Sequence, residues 1–243
     1  MVFGLFSKEK ALQKTIEKAT NKLAQQPDRW AALEKLKDDG SEDALVGLCK
    51  RFSITSMKGV EDEQEKLWVV DSLIGKGESV LPAVVRYMKS AEQLGFPLRV
   101  LEGIASHDKV LEVVDQLFES EPPGYVRMPD RRIDLLRWFA EWKPATEDEM
   151  VSRLTPYVTD FDENVRFAAI DGLANRDPDK IAKPLIDALT RPEEESGRIK
   201  RAIVEVLASH KVPLGDRAAA VQSVLTGPVG DDFKVDAGVI IKK

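Results

Sequence analysis

Few side chains in this 243-residue chain are suited to chemistry. Its two histidines are His107 in "IASHDK" and His210 in "LASHKV". Each closely follows an apolar block, so the two occupy matching places and read as surface turn residues on one edge. His107 beside Asp108 is too little for a metal site or a general base. The single cysteine, Cys49, lies in "DALVGLCKRF" and reads as a buried helical thiol. A reactive thiolate would need a basic, partly exposed setting. One cysteine allows no intramolecular disulfide, which suits a reducing compartment. The chain has no His-Glu-x-x-His or Cys-x-x-Cys spacing, and "GKG" at 75–77 lacks the rest of a phosphate loop. No serine or cysteine nucleophile pairs with a plausible base. The expectation is therefore a protein without catalytic residues, metal or cofactor.

Binding chemistry remains, and charge narrows it. The formal net charge is −6, a poor basis for gripping nucleic-acid phosphates. The balance is uneven: residues 1–60 hold 11 Lys+Arg against 8 Asp+Glu, and the rest is strongly acidic. The side chains that could bind recur in eight-residue blocks. These are "RWAALEKL" at 29–36, "KLWVVDSL" at 66–73, "PLRVLEGI" at 97–104, "RIDLLRWF" at 132–139, "RFAAIDGL" at 166–173 and "KRAIVEVL" at 200–207. Their final residues, Leu36, Leu73, Ile104, Phe139, Leu173 and Leu207, recur every 31 to 37 residues. Five of the six carry an acid at position six.

Each block needs a helix to position it. Val165, Ala169, Gly172 and Leu173 fall on one helical face, behind the capping residue Asp162. Between blocks lie seven further helical patterns, from "KALQKTIEKATNKLA" to "DRAAAVQSVL". The chain thus reads as six helix pairs and a closing helix, each pair too small to bury its apolar face alone. Ala168, Ala169 and Gly172 would let neighbouring helices approach closely.

The stretch "DENVRFAAIDGLANRDPDKIAKPLIDAL" resembles a HEAT repeat of the short bacterial type, named after phycobilisome lyases. Asp162, Val165, Arg166, Ala169 and Leu173 match that pattern; Ala174 stands where the family has glycine. The resemblance is strong over about 145–210, fair over 27–60 and weaker over 60–140. It implies an all-α, right-handed α-solenoid of about six helix pairs plus a closing helix, spanning 1–226. It implies that the block helices line a concave face, and that an Asp–Arg ladder stabilises the loops. HEAT-fold iron hydroxylases carry paired His-Glu motifs, which this chain lacks.

In that family, positions two and six of the block tend to be polar and face the groove. Here the pairs are Trp30/Glu34, Leu67/Asp71, Leu98/Glu102, Ile133/Arg137, Phe167/Asp171 and Arg201/Glu205. Position two is apolar in five of six. An exposed apolar and acidic row would suit a basic amphipathic segment of another protein. The simpler alternative is a slightly rotated helix whose position two packs against the next repeat. Trp68, Trp138 and Trp142 read first as core or ridge packing; Trp138 and Trp142, four apart, could also form an exposed aromatic patch.

Three segments depart from the pattern. The link "ESEPPGYVRMPD" (119–130) would display Tyr125, Arg127 and Met128, either for recognition or as a tolerated insertion. Residues 227–243 read as an extended tail on the last repeat or a flexible partner-binding peptide. At the start, apolar residues 1–7 precede a helix with Lys10, Lys14, Lys18 and Lys22 on one ridge. Such a helix can lie on an anionic membrane; the preferred reading is a first solenoid helix with Phe3 and Phe6 as a cap. Lacking a membrane span or a secretory signal, the chain is expected in the cytoplasm. The function expected is a non-enzymatic protein-binding adaptor. The alternatives are a DNA-gripping HEAT-like solenoid of the kind that excises alkylated bases, or an accessory lyase or chaperone acting on a partner protein. Oligomeric state is open.

Overall fold

The computed structural model describes residues 2–243, with side chains from Lys8 onward. The cap or anchor expected of Phe3, Phe6 and the other side chains of 1–7 lies outside those described. Among the described residues the only strands are those of one hairpin, the other elements are helices, and the chain divides into two compact units, Met1–Glu119 and Ser120–Lys243. The division falls at the start of the link 119–130, where Pro122, Pro123 and Gly124 prevent a helix from continuing.

The first unit contains α1 (Val2–Ala19), α2 (Gln26–Asp39), α3 (Glu42–Cys49), α4 (Gly59–Ile74), α5 (Leu81–Met88) and α6 (Gly95–Ile104). Helix α7 (His107–Ser120) runs to the boundary. The octets lie on α2, α4 and α6, which pack side by side in chain order. Helices α1, α3 and α5 form a second row against them. Local chemistry sets the ends. Pro27 sits in the first turn of α2, and Gly40 closes that helix at φ +64°. Ser41 then caps α3 by accepting from the Ala44 N–H.

The second unit repeats the scheme with α8 (Asp130–Glu141), α9 (Glu147–Leu154), α10 (Glu163–Leu173), α11 (Pro178–Thr190), α12 (Gly197–Ser209) and α13 (Ala218–Val224). The octet helices α8, α10 and α12 are again neighbours. Thr146 and Glu149 form a reciprocal capping box at α9, and Asp162, Asp177 and Ser196 cap α10, α11 and α12. All six octet-final residues are buried.

The end of the chain differs from an extended tail. Residues 227–243 form α14 (Gly227–Asp232) and an antiparallel hairpin of β1 (Phe233–Asp236) and β2 (Val239–Lys242). Ala237 and Gly238 both have positive φ, +47° and +79°, as a two-residue type I′ turn requires. The hairpin packs on α12 and α13 and buries Phe233 and Ile240. The Leu214 N–H donates to the Gly238 carbonyl, and the Val235 N–H donates to the Gln222 side-chain Oε1, which together hold it there.

The small residues have the expected role. A Cβ on Gly172 would lie 2.8 Å from the Ala140 Cβ and 3.0 Å from Leu154 Cδ1, so α10 touches α8 and α9 through bare backbone. Gly47 meets Ile16 of α1 in the same way, and Gly103 meets Ile74 of α4. Alanine at 172 should gain helix propensity of about 1 kcal/mol. It should lose more to overpacking, for a net destabilisation of about 1–2 kcal/mol in urea unfolding. Gly197→Ala, where a Cβ would meet nothing within 4 Å, should be neutral or stabilising.

Candidate functional site

Position one of the octet is a buried cation in four of the six: Arg29, Lys66, Arg132 and Arg166. A buried guanidinium must be paired, and each of these arginines is. In the first unit, Glu65 accepts from Arg29 (Nη2–Oε1 2.8 Å) and from Arg51 (Nε–Oε2 2.7 Å). Arg51 also reaches Asp62 at 2.7 Å, and Lys66 reaches the other oxygen of Asp62 at 2.8 Å. Burial alone would raise the Asp62 carboxyl, but Lys66, the Ser56 N–H and Arg51 outweigh it and hold it down to about 2.

In the second unit, Arg132 donates to Asp160 at 2.8 Å, and Arg166 meets Glu194 at 2.9 Å. In both pairs the acid follows the arginine by 28 residues. The acids also organise loops: Asp160 accepts from the N–H of Gly124 and Asp162, and Glu194 from the N–H of Ser196. A ladder does join the loops, but not through the residue expected. Asp162 caps its own helix, accepting from the Asn164 and Val165 N–H, while Asp160 and Glu194 receive the arginines. Sequence reading missed Glu65, Arg51, Asp160 and Glu194. For Asp160 and Glu194 the usable signal is a carboxylate 28 residues beyond an octet arginine, whereas Glu65 lies 36 beyond Arg29 and follows no such spacing.

The octet face is mixed. All six position-six residues, Glu34, Asp71, Glu102, Arg137, Asp171 and Glu205, are exposed. Position two divides. Leu98 is 0% exposed and Ile133 8%, so these two are core side chains and leave the candidate groove. Trp30, Leu67, Phe167 and Arg201 are half-buried. Trp30 leans on Trp68, with centroids 5.3 Å apart, and the Lys37 ammonium lies 5.5 Å from the Trp68 ring. Trp142 is buried and stacked on Trp138, so this pair is packing rather than an exposed patch.

In the second unit, part of the candidate row converges. Phe167, Asp171 and Glu205 line one cleft of about 270 Å³ between α10 and α12. Phe167, Arg201 and Glu205 line an adjoining cleft of about 560 Å³ that ends on α14. Arg198 stacks over Phe167 at 4.0 Å and pairs with Glu163 at 3.6 Å. Arg201 binds Asp232 at 2.6 Å and Glu205 at 3.6 Å, so it also fastens α14 to α12. On the link, Tyr125, Arg127 and Met128 are exposed.

The two histidines part company. His107 begins α7, whereas His210 lies half-buried in the turn after α12, where it also caps a neighbouring helix. Its Nε2 lies 2.7 Å from the Ala174 carbonyl at the end of α10, so that nitrogen carries a proton and donates. Arg176 does the same one repeat earlier, bonding the Ala140 carbonyl at 2.6 Å. Cys49 is the buried helical thiol expected, and burial pushes its thiol up to about 12. Among the described residues no three His, Cys, Asp or Glu side chains come together as metal ligands, and no helix is long and apolar enough to cross a membrane. No protein-family model matches the chain, and no match is found among curated proteins.

Proposed function

We propose that each unit is a run of HEAT-like helix pairs, a short α-solenoid, and that the protein is a non-enzymatic scaffold. Its octet face would hold a basic amphipathic segment of a partner protein. The repeat reading is supported by bonds that recur in register. Arg132–Asp160 and Arg166–Glu194 share one spacing, and Arg176–Ala140 and His210–Ala174 share another. The observation that carries the binding reading is the cleft where the half-buried Phe167 ring borders the exposed carboxylates Asp171 and Glu205. An apolar anchor flanked by acids favours a partner with apolar and cationic side chains in alternation along a helix. The acids at position six oppose nucleic-acid backbone.

The test is an array of basic amphipathic peptides probed with the full chain. Wild type should retain peptides that combine Lys or Arg with Leu or Phe. Phe167→Asp and Asp171→Lys should each weaken them about tenfold, in line with loss of a central anchor. Equal binding by wild type and both variants would reject the reading. Leu98→Asp is unsuitable as a surface probe, because it would place a charge in the core.

A further inference from the structure

The cleft beside the link is built differently from the octet face. Tyr125 and Phe161 are 75% and 68% exposed, yet their rings meet edge to face, with centroids 5.3 Å apart and planes at 89°. Two large rings kept together in water form an apolar patch, and an edge-to-face pair leaves most of its ring faces open. Their loops are not loose. Asp160 accepts from the N–H of Gly124, next to Tyr125, and Arg166 donates to the Phe161 carbonyl at 3.0 Å. The rings therefore stand on anchored backbone, which lowers the ordering cost of binding.

The charge around them is one-sided. The cleft, about 740 Å³, is also walled by Glu163, Glu193 and Glu195. The guanidiniums beneath are engaged: Arg166 and Arg191 both meet Glu194, and Arg191 also donates to the Thr159 carbonyl. Glu163 faces Arg198. Glu193 and Glu195 are exposed, with no cation within ion-pairing distance among the described residues. Arg127 is exposed on the same link but lies outside the cleft wall. The unit already makes one contact of the kind this arrangement invites, in Arg198 between the Phe167 ring and Glu163.

We propose that the Tyr125–Phe161 pair, rimmed by Glu193 and Glu195, is a docking site for a lysine or arginine side chain on a basic segment of a partner protein. The cation lies over an open ring face, its methylene stem covers the apolar patch, and the two rim carboxylates match its charge. The site shares Glu195 with the adjoining cleft of the octet face, but Tyr125, Phe161 and Glu193 line this cleft and not that one.

Fluorescence polarisation tests it, using the full chain and a labelled peptide of alternating lysine and leucine, with a glutamate–leucine peptide as control. The basic peptide should bind, more weakly as salt rises, and the acidic one should not. Tyr125→Ala/Phe161→Ala and Glu193→Gln should each weaken binding, the ring variant about tenfold; unchanged far-UV circular dichroism would exclude unfolding. Phe167→Asp should leave a Tyr125-dependent component in place. The proposal is overturned if wild type fails to bind the basic peptide, if the acidic peptide binds as well, or if both loop variants bind like wild type. Binding lost only in Phe167→Asp would overturn it while supporting the octet-face reading.

Discussion

Glu65→Ala is expected to lower unfolding free energy by about 3–5 kcal/mol, the range for removing one partner of a buried ion pair. Glu65 is fully buried between two guanidiniums that are themselves buried, Arg29 and Arg51. Arg51 keeps Asp62 and the Ile54 carbonyl, so it stays compensated. Arg29 keeps only the Ala24 carbonyl and the distant Glu61, 3.9 Å away and partly exposed. Most of the loss therefore falls on Arg29, whose charge is left in a nearly dry site. Glutamine should recover less than half, because its NH₂ group would face one of two donors. Glu63, exposed on the same helix, gives a control whose alanine variant should change stability by less than about 0.5 kcal/mol. Urea unfolding followed by tryptophan fluorescence is the measurement, since Trp30 and Trp68 report on this unit. A loss below about 1 kcal/mol would mean that water reaches both guanidiniums.

Asp160→Ala is the second large effect expected, also about 3–5 kcal/mol. This carboxylate is 1% exposed. It accepts from Arg132 at 2.8 Å, the Gly124 N–H at 3.1 Å and the Asp162 N–H at 2.8 Å. Removing it leaves buried Arg132 with only the Gly124 carbonyl and Glu121, 4.0 Å away, and takes the acceptor from two part-buried backbone N–H groups. It also releases the link, because the bond to Gly124 is one of its tethers to the helical body. Limited trypsin digestion should then cut faster after Arg127, an exposed residue three positions along. Unchanged unfolding together with unchanged cleavage after Arg127 would reject this role. Asp162→Ala, by contrast, loses only a helix cap, about 1 kcal/mol, and should leave cleavage at the link unaltered.

These two carboxylates mark where sequence reading stopped. The octets were legible because a helical apolar period and a buried terminal residue leave a repeated pattern. All seven intervening helices were legible for the same reason. The buried cations were not, apart from Arg166, whose place in a ladder the family resemblance implies. A leading Arg before an apolar block looks like a solvated flank, and burial becomes apparent only once a partner arrives from the next repeat. In "RPEEESG" three adjacent glutamates compete for that role; Glu194 alone turns inward, while Glu193 and Glu195 stay in water. Position two was ambiguous for a packing reason. Leu98 and Leu67 hold the same octet position, yet one is fully covered and the other half-buried, so burial there depends on how neighbouring helices pack and not on residue type. The hairpin was legible only as an extended segment laid on the last repeat, because its turn places Ala237 in a conformation that alanine does not advertise.

The register of the ladder bears on how such a chain lengthens. Asp160 and Glu194 are 34 residues apart, as are Arg132 and Arg166, Arg176 and His210, and Ala140 and Ala174. Each bond thus joins a donor from one copy to an acceptor from an adjacent copy. A tandem duplication of residues 160–193 would bring in one Asp160 to receive the preceding arginine and one Arg166 to meet the following acid. The inserted copy would find both neighbours chemically ready, with no compensating substitution at either seam. Deletion of a single ladder carboxylate, by contrast, leaves a neighbouring copy's arginine without its acid.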